Sequence, residues 1–147
     1  MIVDTSAVVG ILGKEPGWER HNSTIAAARR PRMSVVNALE ATMVTESRGG
    51  AAAGAEFDRY VERMGIELEP VTREQLASAR YAWRRFGKGN HPAALNFGDC
   101  FAYALSDTTR EPLLFKGDDF AQTDVRTALS ARVDAPCFPA ALKAPPQ

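Results

Sequence analysis

Two cysteines in 147 residues, Cys100 and Cys137, supply neither a disulfide framework nor the paired Cys/His pattern of a structural zinc site. Net charge is missing as well. Lys plus Arg and Asp plus Glu each number 18, so any nucleic-acid contact must come from a local basic surface. No apolar run is long enough to span a bilayer, and the first residues lack the basic region and cleavage site of a secretory leader. The expected location is the cytoplasm, with no membrane partner. No repeat, low-complexity segment or domain boundary is visible. Residues 1–147 are therefore expected to form one domain, with an irregular proline-bearing tail over about 136–147.

What the chain has is a series of short apolar runs, each ending in polar residues and separated by helical patterns. Met1-Ile2-Val3 reads as a buried strand ending at Asp4, with a helix starting at once through Val8, Val9 and Ile11. Pro16 opens a second helix through Trp18 and Ile25, and Trp18 either packs inside or joins an apolar groove. Met33-Ser34-Val35-Val36 is the second expected strand, and Asn37 with Glu40 has the form of a capping box. Gly49-Gly50 is expected to separate two helices, the second ending at Gly65. Ile66 to Val71 reads as an edge strand because it carries Pro70. Thr72 caps a helix whose Leu76, Ala79, Trp83 and Phe86 are read as a core stripe rather than a platform for bases. A loop containing His91 follows, and Asn96 starts the helix whose apolar stripe is Phe97, Phe101, Ala104 and Leu105. Leu113-Leu114-Phe115 is the last firm strand, and Ala131 to Asp134 a weak one. Strands alternating with helices predict a three-layer α/β domain with a mainly parallel central sheet flanked by helices.

In such sheets chemistry gathers beyond the carboxyl ends of the strands. Asp4 ends the first strand, Glu40 lies in the first turn after the second, and Asp118 and Asp119 follow the last. Asp99 sits in the first turn of a helix that need only start near the same rim. Carboxylates held together repel unless something positive lies between them. A hard divalent ion such as Mg²⁺ or Mn²⁺ suits this all-oxygen set, and Thr5, Ser6 and Asn96 are placed to hydrogen-bond the acids or the ion's waters. Each acid also fits a plain helix cap. Glu40 falls within the arc of Leu39, Met43 and Val44, and a carboxylate on an apolar face is costly unless paired or metal-bound. Arg80, Arg84, Arg85, Lys88 and His91 form a basic run, and Lys116 follows the last strand. These side chains can hold phosphates or simply make a solvated face.

The segments Met1 to Ser6, Ser34 to Glu40, His91 to Leu105 and Leu113 to Phe120 together resemble a PIN-domain ribonuclease, specifically a VapC-type toxin of a toxin–antitoxin pair. The resemblance implies RNA phosphodiester hydrolysis assisted by Mg²⁺ or Mn²⁺. Asp4, Glu40 and Asp99 would be active-site acids, with Asp4 and Asp99 the metal ligands. Asp118, or Asp119 in its place, would be the fourth acid, because the family's usual Thr-x-Asp positions hold Phe115 and Gly117. The resemblance also implies an RNA substrate, a cognate VapB-type antitoxin and a homodimer. Alternatives are a haloacid-dehalogenase-like phosphatase, a receiver-like module and an RNA-binding scaffold that does not cut. The phosphatase would need an acid where Ser6 stands, and the receiver would need an acidic pair at the start.

Overall fold

The computed structural model describes residues 1–129. Four short strands, β1 (Ile2–Val3), β2 (Arg32–Ser34), β3 (Glu67–Glu69) and β4 (Leu113–Leu114), form a parallel sheet in the order β3-β2-β1-β4. Ile2 pairs with Arg32 on one side and Leu113 on the other, and Ser34 pairs with Glu69 at the edge. Beyond β4 a single parallel bridge joins Leu113 to Thr127, a pairing the sequence reading missed. The weak strand expected at 131–134 and the tail lie outside the described residues.

Side-chain alternation in the strands divides the core between the two faces. Ile2 and Leu113 pack towards α4 (Arg73–Phe86) and α5 (Phe97–Thr109), against Ala82, Phe86, Tyr103 and Leu105. Val3, Met33 and Leu114 face α1 (Thr5–Leu12), α2 (Trp18–Ala27) and α3 (Val35–Met64), meeting Val8, Ile25, Ala41 and Phe57. The expected three-layer, mainly parallel α/β architecture is therefore what forms. Among the described residues no helix is long and apolar enough to cross a membrane.

Several boundaries differ from expectation for local reasons. Pairing of β2 stops at Ser34, whose hydroxyl accepts from Val36 N at 3.3 Å and caps α3, so Val35 and Val36 are helical. Asn37 is then inside the helix and is not a cap. At Gly49-Gly50 the backbone leaves helical geometry, with Gly50 at φ 67°, a conformation that suits glycine, so α3 consists of two helices meeting at a kink, as expected. Gly65 ends α3 in the left-handed region at φ 61°, as expected. Trp18 packs partly buried against the second core cluster.

Both predicted stripes split. Ala79 and Phe86 are buried, but Leu76 and Trp83 are exposed, because α4 turns Gln75, Ser78 and Ala82 inward. Ser78 makes that rotation tolerable by donating to Asp107 at 2.7 Å. On α5, Ala104 and Leu105 are buried whereas Phe97 is 73% exposed.

Candidate active site

Asp4 is the N-cap of α1, as its position after a strand requires. One carboxylate oxygen, Oδ2, accepts from Ser6 N at 2.9 Å and Ser6 Oγ at 2.6 Å. The other oxygen, Oδ1, is buried and receives no hydrogen bond. The residue is only 2% exposed. Burial, followed by the nearby charges of Asp99 and Glu40, pushes its carboxyl up to about 7 despite the Ser6 bonds that favour ionisation. Asp4 is both the cap and something more, because capping uses only half of its carboxylate.

Ser6 also fixes the strand-end loop. Its Oγ accepts from Lys116 N at 3.0 Å while donating to Asp4, so the exit from β4 is tied to the acid through one hydroxyl. Asp4 N donates to Leu114 O at 2.9 Å, adding a main-chain tie to the same strand.

Glu40 comes to the rim on α3, and its neighbours explain its position better than helix amphipathicity does. Of the apolar arc invoked for it, Leu39 and Met43 face solvent at 62% and 64% exposed, and only Val44 packs partly buried against the second core cluster. What holds Glu40 is the Thr5 hydroxyl, donating to Oε2 at 2.6 Å, and Asn37 Nδ2, at 3.5 Å from the same oxygen. Asn37 is fully buried and also donates to Gly98 O at 3.0 Å and approaches Thr5 Oγ1 at 3.3 Å. It cross-links α1, α3 and α5 beneath the acids.

Asp99 forms a true capping box with Asn96. Its Oδ2 accepts from Asn96 N at 2.8 Å, and Asn96 Oδ1 accepts from Asp99 N at 2.9 Å. Burial raises its carboxyl to about 6, with Glu40 and Asp119 adding to the effect of burial and the Asn96 bond opposing it. At the opposite end of the sheet burial also acts on Glu111, but the amino terminus and Arg32 outweigh it and hold that carboxyl low. The two ends are built differently: acids are paired with cations at one and face other acids at the other.

Gly98, absent from the predicted residues, completes the arrangement. A Cβ built on it would come within 3.0 Å of the Glu40 carboxylate, closer than real Cβ atoms approach. A glycine in the first turn of a helix, where alanine is about 1 kcal/mol better, was the available sequence signal.

Asp118 and Asp119 are both exposed after β4, and only Asp119 is among the charges that raise Asp99. The predicted basic run from Arg80 to His91 separates into three settings. Arg80, Arg84 and Lys88 line an open groove with Asn96 and Phe97. Arg85 lies over the Phe86 ring, 5.3 Å from its centroid. His91 is pinned in its loop, with Nδ1 accepting from Ala93 N at 3.1 Å.

Lys116 leaves the rim altogether. Its stem passes Gly10 and its ammonium pairs with Glu15, which also binds Arg48. Lys116→Ala should therefore cost ~1 kcal/mol or less in a denaturation titration, as for other partly exposed pairs, with RNA affinity unchanged.

Among the described residues no three His, Cys, Asp or Glu side chains close into a metal cage of their own. The set nevertheless fits a divalent cation. Asp4 Oδ1 is a buried acceptor without a donor, every other candidate donor is oxygen, and an ion such as Mg²⁺ keeps several waters while binding one or two carboxylates.

Comparison with known proteins agrees with this geometry. The PIN-domain model matches residues 1–126. Ribonuclease VapC of Mycolicibacterium smegmatis is 46% identical over 125 residues, covering 85% of this chain and 97% of that protein. Ribonuclease VapC30 of Mycobacterium tuberculosis is 43% identical over 127 residues, covering 86% and 97% respectively. In fold, the chain is similar to the crystal structure of Mycobacterium tuberculosis VapC20, described as a sarcin–ricin loop cleaving toxin. That match has a TM-score of 0.69 at 15% identity and covers 84% of this chain and 95% of that one. The chain belongs to the PIN-domain family, and within it to the VapC ribonucleases.

Proposed function

We propose that this chain is a metal-dependent endoribonuclease, the toxin of a VapBC-type toxin–antitoxin pair, which hydrolyses RNA phosphodiester bonds at the rim formed by Asp4, Glu40 and Asp99. The observation that supports it most is the buried, donorless Oδ1 of Asp4 beside two further carboxylates. Asp4 and Asp99 would hold Mg²⁺ or Mn²⁺. Such an ion, when bound, supplies a Lewis acid for the phosphate and lowers the pKa of an attacking water. Glu40 is held through Oε2 by Thr5, leaving Oε1 to orient that water or take its proton. Thr5, Ser6 and Asn96 keep the three acids from turning away from one another.

For the fourth acid the reading shifts from Asp118 to Asp119, because Asp119 is the one that acts on Asp99. Asp119→Asn should lower turnover by about 10²-fold, the lower end of the range for a positioned acid or base, while Asp118→Asn stays near wild type. A larger loss in Asp118→Asn than in Asp119→Asn would reverse this assignment, and equal effects on initial rates would remove it.

The VapC relatives support a cognate VapB-type antitoxin, a homodimer and a cytoplasmic location as part of the same proposal, and Leu39 and Met43 offer apolar surface for a protein contact. The direct test is purified protein on a mixed RNA pool, with Mn²⁺ or Mg²⁺ against EDTA, alongside Asp99→Asn. Cleavage should stop in both controls. Cleavage that persists in both, or RNA binding without any cleavage, would overturn the nuclease mechanism.

A further inference from the structure

His21 is a buried polar side chain that the site described above does not use. It stands on the buried face of α2 at 8% exposure, and both of its ring nitrogens face main-chain carbonyls. Nδ1 lies 3.0 Å from Gly17 O, four residues back, and Nε2 lies 3.0 Å from Phe115 O, 94 residues away. Neither oxygen can donate in return, and a neutral imidazole has a single N–H to give. Gly17 O already accepts from the main-chain N–H groups of Arg20 at 3.2 Å and His21 at 3.4 Å. Phe115 O has no partner but His21 among the described residues. A partly buried carbonyl left without a donor is costly, so the proton belongs on Nε2. The doubly protonated ring makes the same bond.

That carbonyl belongs to a peptide unit with a second tie. Phe115 C=O and Lys116 N–H are the two ends of one planar group. The N–H donates to Ser6 Oγ at 3.0 Å, and Ser6 Oγ donates to Asp4 Oδ2 at 2.6 Å. Strand pairing ends at Leu114, and the chain turns at Gly117 with φ 97°. The plane between them is set by side chains, His21 on one edge and Ser6 on the other. α2 is a firm base for this, since Ile25 lies in the core and Asn22 accepts from the Tyr60 hydroxyl at 3.0 Å. Successive hydrogen bonds also polarise one another, so donation into Phe115 O strengthens donation from Lys116 N.

We infer that His21 is a positioning residue for Asp4. It acts through the peptide unit between Phe115 and Lys116, and through Ser6, to keep Oδ2 bonded and Oδ1 available to the ion. The inference rests on the ribonuclease reading and extends the machinery to α2.

Three substitutions separate the two bonds of the ring. His21→Phe keeps the bulk of the ring and removes both nitrogens. His21→Gln places its amide nitrogen where Nε2 stood, and His21→Asn places its own near Nδ1. The first readout needs neither metal nor RNA: amide hydrogen exchange at Lys116, by NMR, in the full-length metal-free chain. Exchange should quicken about tenfold in His21→Phe and His21→Asn, roughly what one hydrogen bond is worth, and return towards wild type in His21→Gln. The second readout is Mn²⁺ affinity by calorimetry. It should weaken by about 10–100-fold in His21→Phe and His21→Asn, the range for groups that orient metal ligands, and His21→Gln should restore it. In a Ser6→Ala background the relay is already cut, so His21→Phe should weaken Mn²⁺ binding no further.

A purely structural histidine would lower the melting temperature of the variants while Lys116 exchange and Mn²⁺ affinity, taken per folded molecule, stay at wild type. That result overturns the inference. So does rescue by Asn where Gln fails, which would put the working bond at Gly17, and so does an equal loss of affinity with and without Ser6. If His21→Phe does not fold, the comparison of Gln with Asn decides the matter. RNA cleavage by the wild-type chain separates the two claims. A chain that binds Mn²⁺ and cuts no RNA, with the order of the variants intact, removes the nuclease reading and leaves the relay. Wild-type cleavage with both readouts unmoved in all three variants does the reverse.

Discussion

With Asp4 replaced by Asn, RNA cleavage falls to background and the metal-free protein becomes more stable than wild type at pH 8. The substitution is a sharp discriminator because Asn and Asp are about equally good N-caps. If Asp4 only capped α1, the change would be nearly silent. The expected reversal comes from the buried charge. The carboxyl titrates at about 7 in the folded chain and near 3.8 when unfolded, with burial as the main cause and Asp99 and Glu40 contributing. Between those values the folded state holds a proton that the unfolded state has released. Stability is therefore complete below pH 3.8, falls as pH rises towards 7, and is flat above it. At 1.36 kcal/mol per tenfold, the loss is ~4 kcal/mol at most. An amide whose buried NH₂ group lacks an acceptor gives back ~1–3 kcal/mol of that gain, so the net advantage of Asp4→Asn at pH 8 is a few degrees of melting temperature.

Thermal melts in EDTA from pH 5 to pH 9 measure this directly. Wild type should lose stability across that window relative to the variant, and saturating Mg²⁺ should restore it in wild type alone, since a ligand stabilises only the state that binds it. Parallel pH profiles for the two proteins, or equal Mg²⁺ responses, would overturn the metal-ligand role proposed for Asp4.

The acids were legible because their positions follow from chain order alone. Asp4 must emerge at a strand end, Asp99 must open a helix, and parallel crossovers bring such points to one rim. Their supports were less legible. Asn37/Glu40 and Asn96/Asp99 have the same spacing, yet only the second is a capping box. The difference is set from outside the motif. Ser34 captures the cap of α3 when β2 stops pairing with β3, and Asn37 turns inward to Gly98, 61 residues away. The split stripes have the same origin. Periodicity gives a helix's apolar positions, but which of them faces the core depends on its rotation against its neighbours. On α4 that rotation leaves Trp83 in the groove and buries Gln75. Lys116 was close to the rim in sequence, and its reach along α1 to Glu15 depends on Gly10 leaving room for the stem.

Gly98→Ala should separate activity from stability in the opposite sense to a core mutation. The three atoms nearest the added methyl group all belong to the end of the Glu40 side chain. A flexible carboxylate can swing away, so the fold accommodates the change. Alanine's advantage of about 1 kcal/mol over glycine in a helix offsets what strain remains, and the melting temperature should stay near wild type. The displaced Glu40 must leave the Thr5 hydroxyl and the Asn37 amide that hold it. Misplacing a positioned group by about 1 Å costs on the order of 10²-fold in rate, and the loss should appear in kcat with KM nearly unchanged. The route of the effect is testable because it passes through one side chain. In a Glu40→Ala background there is no carboxylate for the methyl group to displace, so Gly98→Ala should cost almost nothing further. Equal losses in both backgrounds would mean that Gly98 acts through the backbone of α5, and wild-type turnover in the single variant would mean that Glu40's seat against Gly98 is not the active one.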